Sequence, residues 1–401
     1  MNETRGSKCL YLKPGREKSV LHRHPWIFSG AVARVDDGSQ PGETMLVCSA
    51  NGERLGWAAY SPASQIRARI WAWDADRPVD REFFRDRVRS SLGLRRLAVP
   101  GDESDAVRLV FAESDGMPGL IADRYANWIV VQSLTAGADA RVEDFADLLV
   151  EETGIKNIYE RSDADVRELE GLPPRMGVLR GDTPPERISI RENGLNFLVD
   201  IRRGHKTGFY IDQRPNRLRL RSFAPGKQVL NCFSYTGGFA VSALAGGAES
   251  VLSIDTSAAV LELGRQNLAA NGLDPARAEW VEGDVFHLLR EYRDRGRTFD
   301  LIVLDPPKFA PTAAQADKAA RGYKDINLLA IKLLRPGGVL FTFSCSGGVS
   351  LDLFQKIVAG AALDAGAHLE ILETMTQGPD HPVALNFPEG AYLKGLICAK
   401  A

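Results

Sequence analysis

Gln228-Val229-Leu230-Asn231-Cys232-Phe233-Ser234-Tyr235-Thr236-Gly237-Gly238-Phe239 reads as an apolar strand, a polar glycine turn and the start of a helix that continues through Ala240 to Ala245. The same alternation repeats downstream. Ser250 to Ile254 is a second strand ending in Asp255, and Gly283-Asp284-Val285 closes a third. Leu301-Ile302-Val303-Leu304 runs into Asp305-Pro306-Pro307-Lys308-Phe309, and Gly338 to Phe343, after the turn Arg335-Pro336-Gly337, delivers Ser344-Cys345-Ser346-Gly347-Gly348. Strands alternating with helices build an α/β domain on a largely parallel, doubly wound sheet. The loops after these strands then share the carboxyl edge of the sheet, where such folds bind ligands.

The chemistry of those loops suits a nucleoside. The Gly237 turn lets a ligand approach the backbone, Asp255 can accept both hydroxyls of a ribose, and Asp284 is placed to accept from an adenine amine. The turn lacks the G-x-G-x-x-G pattern that cradles a pyrophosphate, so a cofactor without one fits better. Taken alone the turn is a tight strand-to-helix connection; its combination with the two acids and with Asp305 makes it a site.

After Asp305 the two prolines fix the backbone, remove two competing donors and aim the carboxylate into the crevice, the place where nucleobase methyltransferases hold a flipped base by its Watson-Crick edge. Cys345 leaves a strand tip at the same edge, and its small polar flanks leave the thiol approachable. Cytosine carbon 5 is a poor nucleophile, and methylating it requires a thiolate to add at carbon 6 and turn the ring into an enamine. Cys345 is the candidate for that thiolate and Asp305 for the group that activates the ring. The remaining cysteines, Cys9, Cys48, Cys232 and Cys398, form no C-x-x-C pair, which speaks against a disulfide framework and against a zinc site, and they read as packing residues.

A chain of 401 residues with 44% apolar side chains fills more than one core. Residues 1–76 read as a small β-barrel with strands such as Thr44 to Cys48 and Gln65 to Trp73. Residues 77–186 read as a connector helix, Arg81 to Leu97, ending at Pro100-Gly101, followed by a small α+β domain. Within it, the Gly/Pro-rich stretch Gly171 to Glu186 reads as the linker to a catalytic domain over 187–401, which opens on a hairpin, Ile188 to Ile190 and Leu195 to Asp200. The net charge of −2 hides two basic runs. One carries Lys13, Arg16, Lys18 and Arg23; the other runs from Arg202 and Arg203 through Lys206, Arg214 and Arg217 to Arg219 and Arg221. Both are candidate contacts for RNA phosphates. No run approaches the roughly 20 apolar residues of a membrane span, and Met1 to Leu10 lacks a signal-peptide core, so the expected place is the cytoplasm.

These residues, together with Gly15-Arg16-Glu17-Lys18, His24 to Ala33, Ala59 to Arg69, Gly204-His205-Lys206-Thr207-Gly208, Tyr210 to Arg214 and Arg321 to Asp325, resemble the ribosomal large-subunit methyltransferase I family over nearly the whole chain. The resemblance implies a PUA domain at the start, a central α+β domain and a Rossmann-like class I methyltransferase domain. It implies S-adenosyl-L-methionine as cofactor, 23S ribosomal RNA as substrate partner and a cytosine carbon 5 as target. It also implies a cofactor site lined by the Lys206 to Gln213 segment (Lys206, Thr207, Gly208, Asp212, Gln213) with Asn231, Tyr235, Thr236, Asp255, Asp284 and Asp305. No metal and no membrane are expected, and a homodimer is left open. Many cytosine-C5 RNA methyltransferases carry a second cysteine after the proline of the Asp-Pro motif; here Pro307 and Lys308 stand in that region, which leaves the base for the carbon-5 proton unassigned. Two other readings stay open. A guanine-nitrogen methyltransferase would share the Asp-Pro-Pro segment without needing Cys345, and a noncatalytic RNA-binding assembly factor would need neither the cofactor turn nor Asp305.

Overall fold

The computed structural model describes residues 7–99, 104–309 and 316–401, so Pro100 and Gly101, the expected stop of the connector helix, lie outside the described residues. The chain forms two compact units, one of Met1–Ile190, Val199–Ile211 and Pro379–Gly390, the other of Arg191–Leu198, Asp212–Gly378 and Ala391–Ala401.

The first unit opens with a six-stranded sheet in the order Trp26–Phe28, Ile66–Ala72, Arg54–Tyr60, Thr44–Cys48, Cys9–Leu12, Val32–Val35. The period of two sorts Arg54–Tyr60 and Ile66–Ala72 onto two apolar faces. Ala58, Ala68 and Ile70 join Leu10, Ile27 and Val47 in a core within the sheet. Trp57, Ala59 and Trp71 instead pack with Phe84 of the helix Arg81–Ala98 and Phe145 of the helix Val142–Thr153. Trp71 meets Phe84 edge-on at 5.0 Å and Phe84 meets Phe145 at 5.1 Å. The expected boundary between residues 76 and 77 therefore runs through one continuous core.

A second, five-stranded sheet follows, in the order Arg175–Arg180, Asn157–Ser162, Trp128–Ser133, Leu120–Tyr125, Ala106–Phe111. Its first strand corrects the expected linker. Arg175–Arg180 pairs antiparallel with Asn157–Ser162, flanked by Pro173-Pro174 and Pro184-Pro185. The prolines bound an edge strand without interrupting it, so their density marks the strand's ends and not a flexible tether.

The second unit is built on a seven-stranded sheet. Its strands are β1 (Gln228–Cys232), β2 (Ser250–Asp255), β3 (Ala278–Glu282), β4 (Phe299–Leu304), β5 (Leu334–Ser344), β6 (Leu369–Met375) and β7 (Lys394–Lys400). The order is β3-β2-β1-β4-β5-β7-β6. Strands β1 to β5 are parallel, as expected from the alternation, and helices such as Gly238–Ala245 and Ala258–Ala269 make the crossovers. The last two strands depart from that pattern, because β7 lies antiparallel to both β5 and β6. The segment between Met375 and Lys394 has no regular element but the short 3-10 turn Pro388–Gly390, so it lacks the α-helix that usually makes a parallel crossover. The core of this unit gathers Leu230, Ile254, Ile302 and Leu304 from the strands with Tyr323, Leu329 and Phe354 from the helices.

Candidate active site

The tips of β1 to β5 share one edge, and the order along it is Asp284, Asp255, the 233–237 turn, Asp305, Cys345. From the β2 tip to the β5 tip is three strand spacings, roughly 15 Å. Leu304 of β4 pairs with Thr342 of β5, so Asp305 and Cys345 leave neighbouring tips, and the Cys345 thiol lies 4.0 Å from the Pro306 carbonyl it faces.

Asp305 is half-buried and held from below. Gln213 Nε2 donates to its Oδ1 at 3.0 Å, and the amide cannot turn over because Gln213 Oε1 accepts from Asn216 Nδ2 at 2.7 Å, while Asn216 also donates to the Thr376 carbonyl at 3.1 Å. Arg217 is committed elsewhere, to a buried bidentate pair with Glu192 at 2.6 Å for each bond. Burial, reinforced by the nearby Asp212 carboxylate, pushes the Asp305 carboxyl up to about 7, against the opposing pull of Arg217 and Gln213. Asp212 in turn accepts from the Tyr392 hydroxyl at 2.5 Å.

The turn after β1 is conformationally demanding. Phe233, Tyr235 and Gly237 have φ of +58°, +47° and +75°. Two non-glycine residues in the left-handed region persist only where the surroundings over-determine them. Here Tyr235 N donates to Asp255 Oδ2 at 2.9 Å, Ser234 N to the Ile254 carbonyl at 2.9 Å, and Asn267 Nδ2 to the Thr236 carbonyl at 2.9 Å. Gly237 has a reason that local sequence does not disclose: a Cβ there would lie 2.6 Å from the Trp280 ring. Asp255 supports the turn with one oxygen and accepts from Ser257 N at 3.2 Å with the other, which leaves each oxygen a further lone pair. Asp284 is the N-cap of the helix Val285–Asp294, accepting from His287 N at 2.9 Å.

Among the buried polar atoms of this unit that have no hydrogen-bond partner among the described residues are Asn231 Oδ1, Ser234 Oγ, Thr236 Oγ1 and Asp212 Oδ1. Each such group costs about 1–3 kcal/mol if left unpaired. Three of them fall within six residues of β1 and its turn, so this strand tip fits a polar ligand that satisfies them.

The other candidate cofactor residues, Lys206, Thr207 and Gly208, lie in the first unit. Thr207 Oγ1 donates to Asp123 Oδ2 at 2.6 Å and shares a 2.8 Å bond with the Tyr125 hydroxyl. A Cβ on Gly208 would lie 2.8 Å from Val199, and Lys206 is exposed with φ of +57°.

Of the basic residues, Lys13, Arg16, Lys18 and Arg23 are exposed, as are Arg202 and Arg203. The arginines from Arg214 to Arg221 in the second basic run are corrected by the structure. Arg217 pairs with Glu192, Arg219 with Glu373 at 2.7 Å, Arg221 donates to the Asn193 carbonyl at 2.9 Å, and Arg214 is buried. Carboxylates remote in sequence neutralise Arg217 and Arg219, and burial and a carbonyl partner tie down Arg214 and Arg221, in what composition alone presents as a positive stripe.

Cys48, Cys232 and Cys398 are buried, and burial pushes the thiols of Cys48 and Cys398 up to about 12. Cys345 keeps partial exposure. Two residues of this unit carry no sequence expectation: Tyr392, which holds Asp212, and Lys394, opposite Ser344 in the β5–β7 register. A lysine opening the apolar run Gly395 to Ala399 is the available signal. Among the described residues no cluster of His, Cys, Asp and Glu could hold a metal, and no helix is long and apolar enough to cross a membrane.

Comparison with known proteins adds to this geometry. Residues 176–396 match the family model of S-adenosylmethionine-dependent methyltransferases, and residues 10–73 match that of PUA-like domains. Over 389 residues the chain is 52% identical to the ribosomal RNA large subunit methyltransferase I of Erwinia tasmaniensis, covering 97% of this chain and 98% of that protein. A SAM-dependent methyltransferase from Streptococcus mutans has the same fold, with a TM-score of 0.84 at 22% identity, covering 98% of this chain and 99% of that one. A methyltransferase structure complexed with SAH superposes with a TM-score of 0.85 at 22% identity and the same coverage.

Proposed function

The chain belongs to the ribosomal RNA large subunit methyltransferase I family of S-adenosylmethionine-dependent enzymes, and from that premise we propose that it methylates carbon 5 of a cytosine in 23S ribosomal RNA through a covalent bond between Cys345 and carbon 6. The observation that carries the reading is the Cys345 thiol, partly exposed at the strand tip beside Asp305 and 4.0 Å from the Pro306 carbonyl. Methylation of a guanine nitrogen has no use for a thiol there. With a target-carrying RNA as substrate, the place of action is the cytoplasm.

Asn231, Tyr235, Thr236, Gly237, Asp255 and Asp284 would hold the cofactor, with Gln213 and Asp212 beside Asp305 in the same crevice. S-adenosylmethionine supplies an electrophilic methyl on a sulfonium. Cys345 adds as thiolate to carbon 6, forming the S–C6 bond and making carbon 5 nucleophilic. Once carbon 5 carries the methyl, a water molecule takes its proton, the C5–H electron pair restores the C5–C6 double bond, and the S–C6 bond breaks, returning the thiolate. Asp305, whose carboxyl titrates near 7, carries a proton part of the time at neutral pH and donates it toward N3 while accepting from the exocyclic amine. Bisulfite sequencing of 23S ribosomal RNA treated with the protein and S-adenosylmethionine tests the target: one cytosine becomes resistant to conversion. An unchanged bisulfite pattern with methyl incorporated elsewhere would hand the case to guanine-nitrogen methylation.

The ribose assignment predicts that Asp255→Ala weakens S-adenosylmethionine binding by about 1.5 to 3 kcal/mol, the range for losing charge-assisted hydrogen bonds. Titration calorimetry checks it, with circular dichroism to confirm folding, since Tyr235 N loses its acceptor in the same variant. Unchanged affinity in a folded variant removes the assignment.

Phosphate contacts are assigned to Lys13, Arg16, Lys18 and Arg23, with Arg202 and Arg203 in the same role. Deleting residues 1–76 is a poor test because Trp71 would be stripped from Phe84. Replacing Lys13, Arg16, Lys18 and Arg23 by Ala instead lowers the salt slope of RNA binding by about 0.7 to 0.9 for each phosphate that is no longer neutralised. A slope equal to wild type places the footprint elsewhere.

A further inference from the structure

Lys394 opens β7 and its Cα pairs with Ser344, the last residue of β5. Its Nζ donates to the Ser346 carbonyl at 2.7 Å and to the Tyr392 carbonyl at 2.8 Å. The ammonium is thereby tied to the residue after Cys345 while its own backbone pairs with the residue before it. The residue is only 8% exposed. A buried lysine usually has a carboxylate partner; among the described residues, the groups whose charge bears on this one are Cys345 and Lys308, from the loop after β4.

We propose that Lys394 is a positioning residue that holds Cys345 as a thiolate, its ammonium supplying the counter-charge at the strand tip. The use made of that thiolate rests on the carbon-5 reading; the pairing itself does not. In the resting pair the thiol proton sits on Lys394 Nζ, and it stays there while sulfur bonds to carbon 6 and is later released.

The surroundings fit the role. Tyr323, from the helix Ala316–Leu333, bonds the Ser346 hydroxyl at 2.9 Å, and burial raises its phenol, so it faces the thiol as a neutral group. Lys308 is exposed and adds a second, solvent-screened positive charge. Asp305 faces the same crevice, one residue before Pro306. Burial lowers the Lys394 amine to about 8, with the Cys345 charge opposing that fall, so the ammonium is present at neutral pH and its support is lost as the pH rises through about 8.

Alkylation of the full-length protein by iodoacetamide, followed over pH and located by peptide mass spectrometry, tests the pairing without substrate or cofactor. The wild-type midpoint for Cys345 is expected below the ordinary thiol value of about 8.5. Lys394→Gln, which keeps a donor and removes the charge, raises the midpoint by about 1 to 2 pH units, and Lys394→Arg keeps it low. A wild-type midpoint at or above about 8.5 overturns the proposal, and that measurement stands even if Lys394→Gln fails to fold. An unmoved midpoint in folded Lys394→Gln also overturns it. A low wild-type midpoint that rises in Lys394→Gln, together with no covalent trapping on 5-fluorocytosine RNA, supports the pairing and removes only the carbon-5 reading.

Discussion

Cys345→Ala protein binds S-adenosylmethionine and RNA close to wild type and does not turn over. The thiol is partly exposed beside Pro306 at the very tip of the sheet, so the substitution removes the nucleophile and leaves the core below it intact. Without sulfur at carbon 6 the ring stays aromatic and carbon 5 does not attack, and the expected loss is on the order of 10⁴-fold or more, as for other removed nucleophiles. The wild-type protein is trapped on RNA carrying 5-fluorocytosine, because fluorine cannot leave as a proton and the S–C6 bond then persists. A denaturing gel shows the adduct as a slower band, absent in Cys345→Ala. A Cys345→Ala protein that methylates RNA near the wild-type rate sinks covalent catalysis and favours nitrogen methylation.

Asp305→Ala slows methyl transfer by about 10² to 10³, the cost of removing one preorganised hydrogen-bonding group from an active site. The pH profile separates this from a packing defect. The folded carboxyl stands at about 7 against an ordinary 3.8, so its protonated form predominates below about 7 and is lost above it. If the proton is donated to N3, the single-turnover rate loses one limb as the pH rises through about 7, and Asp305→Asn, which carries no titrating proton, lacks that limb. The linkage has the same sign for stability: a raised carboxyl makes the fold relatively more stable at low pH, with the contribution lost between about 4 and about 7. Denaturant titrations of wild type and Asp305→Asn should therefore diverge as the pH climbs through that window. Identical activity profiles for the two proteins would falsify proton donation by Asp305.

Much of the candidate site is legible in the sequence because its residues follow apolar strands directly. Asp255, Asp305 and Cys345 each end a strand, parallel strands present their ends at one edge, and that rule alone brings them together. Gly237 illustrates a residue located for an incomplete reason: the turn is visible in sequence, while the Trp280 ring that forbids a side chain there is 43 residues away in the chain. Thr207 and Gly208 are located by family resemblance, yet the groups beside them are Asp123, Tyr125 and Val199. The segment 175–180 looks like a linker because proline density carries no information on whether the residues between the prolines find a strand to pair with.

Local pattern thus determined the strand and helix order of the second unit and placed the candidate residues Asp305 and Cys345 at the ends of neighbouring strands, since periodicity and turn chemistry act over a few residues. Tertiary pairing decided what no local window contains. It set the antiparallel return of β7 that brings Lys394 to Ser346, the Glu192 carboxylate that neutralises Arg217, and the Gln213–Asn216 relay that orients the hydrogen bond to Asp305. It also set the burial that raises Asp305 to about 7. Ionisation and charge pairing depend on which groups exclude water from one another, and in a folded chain those groups come from segments the sequence keeps far apart.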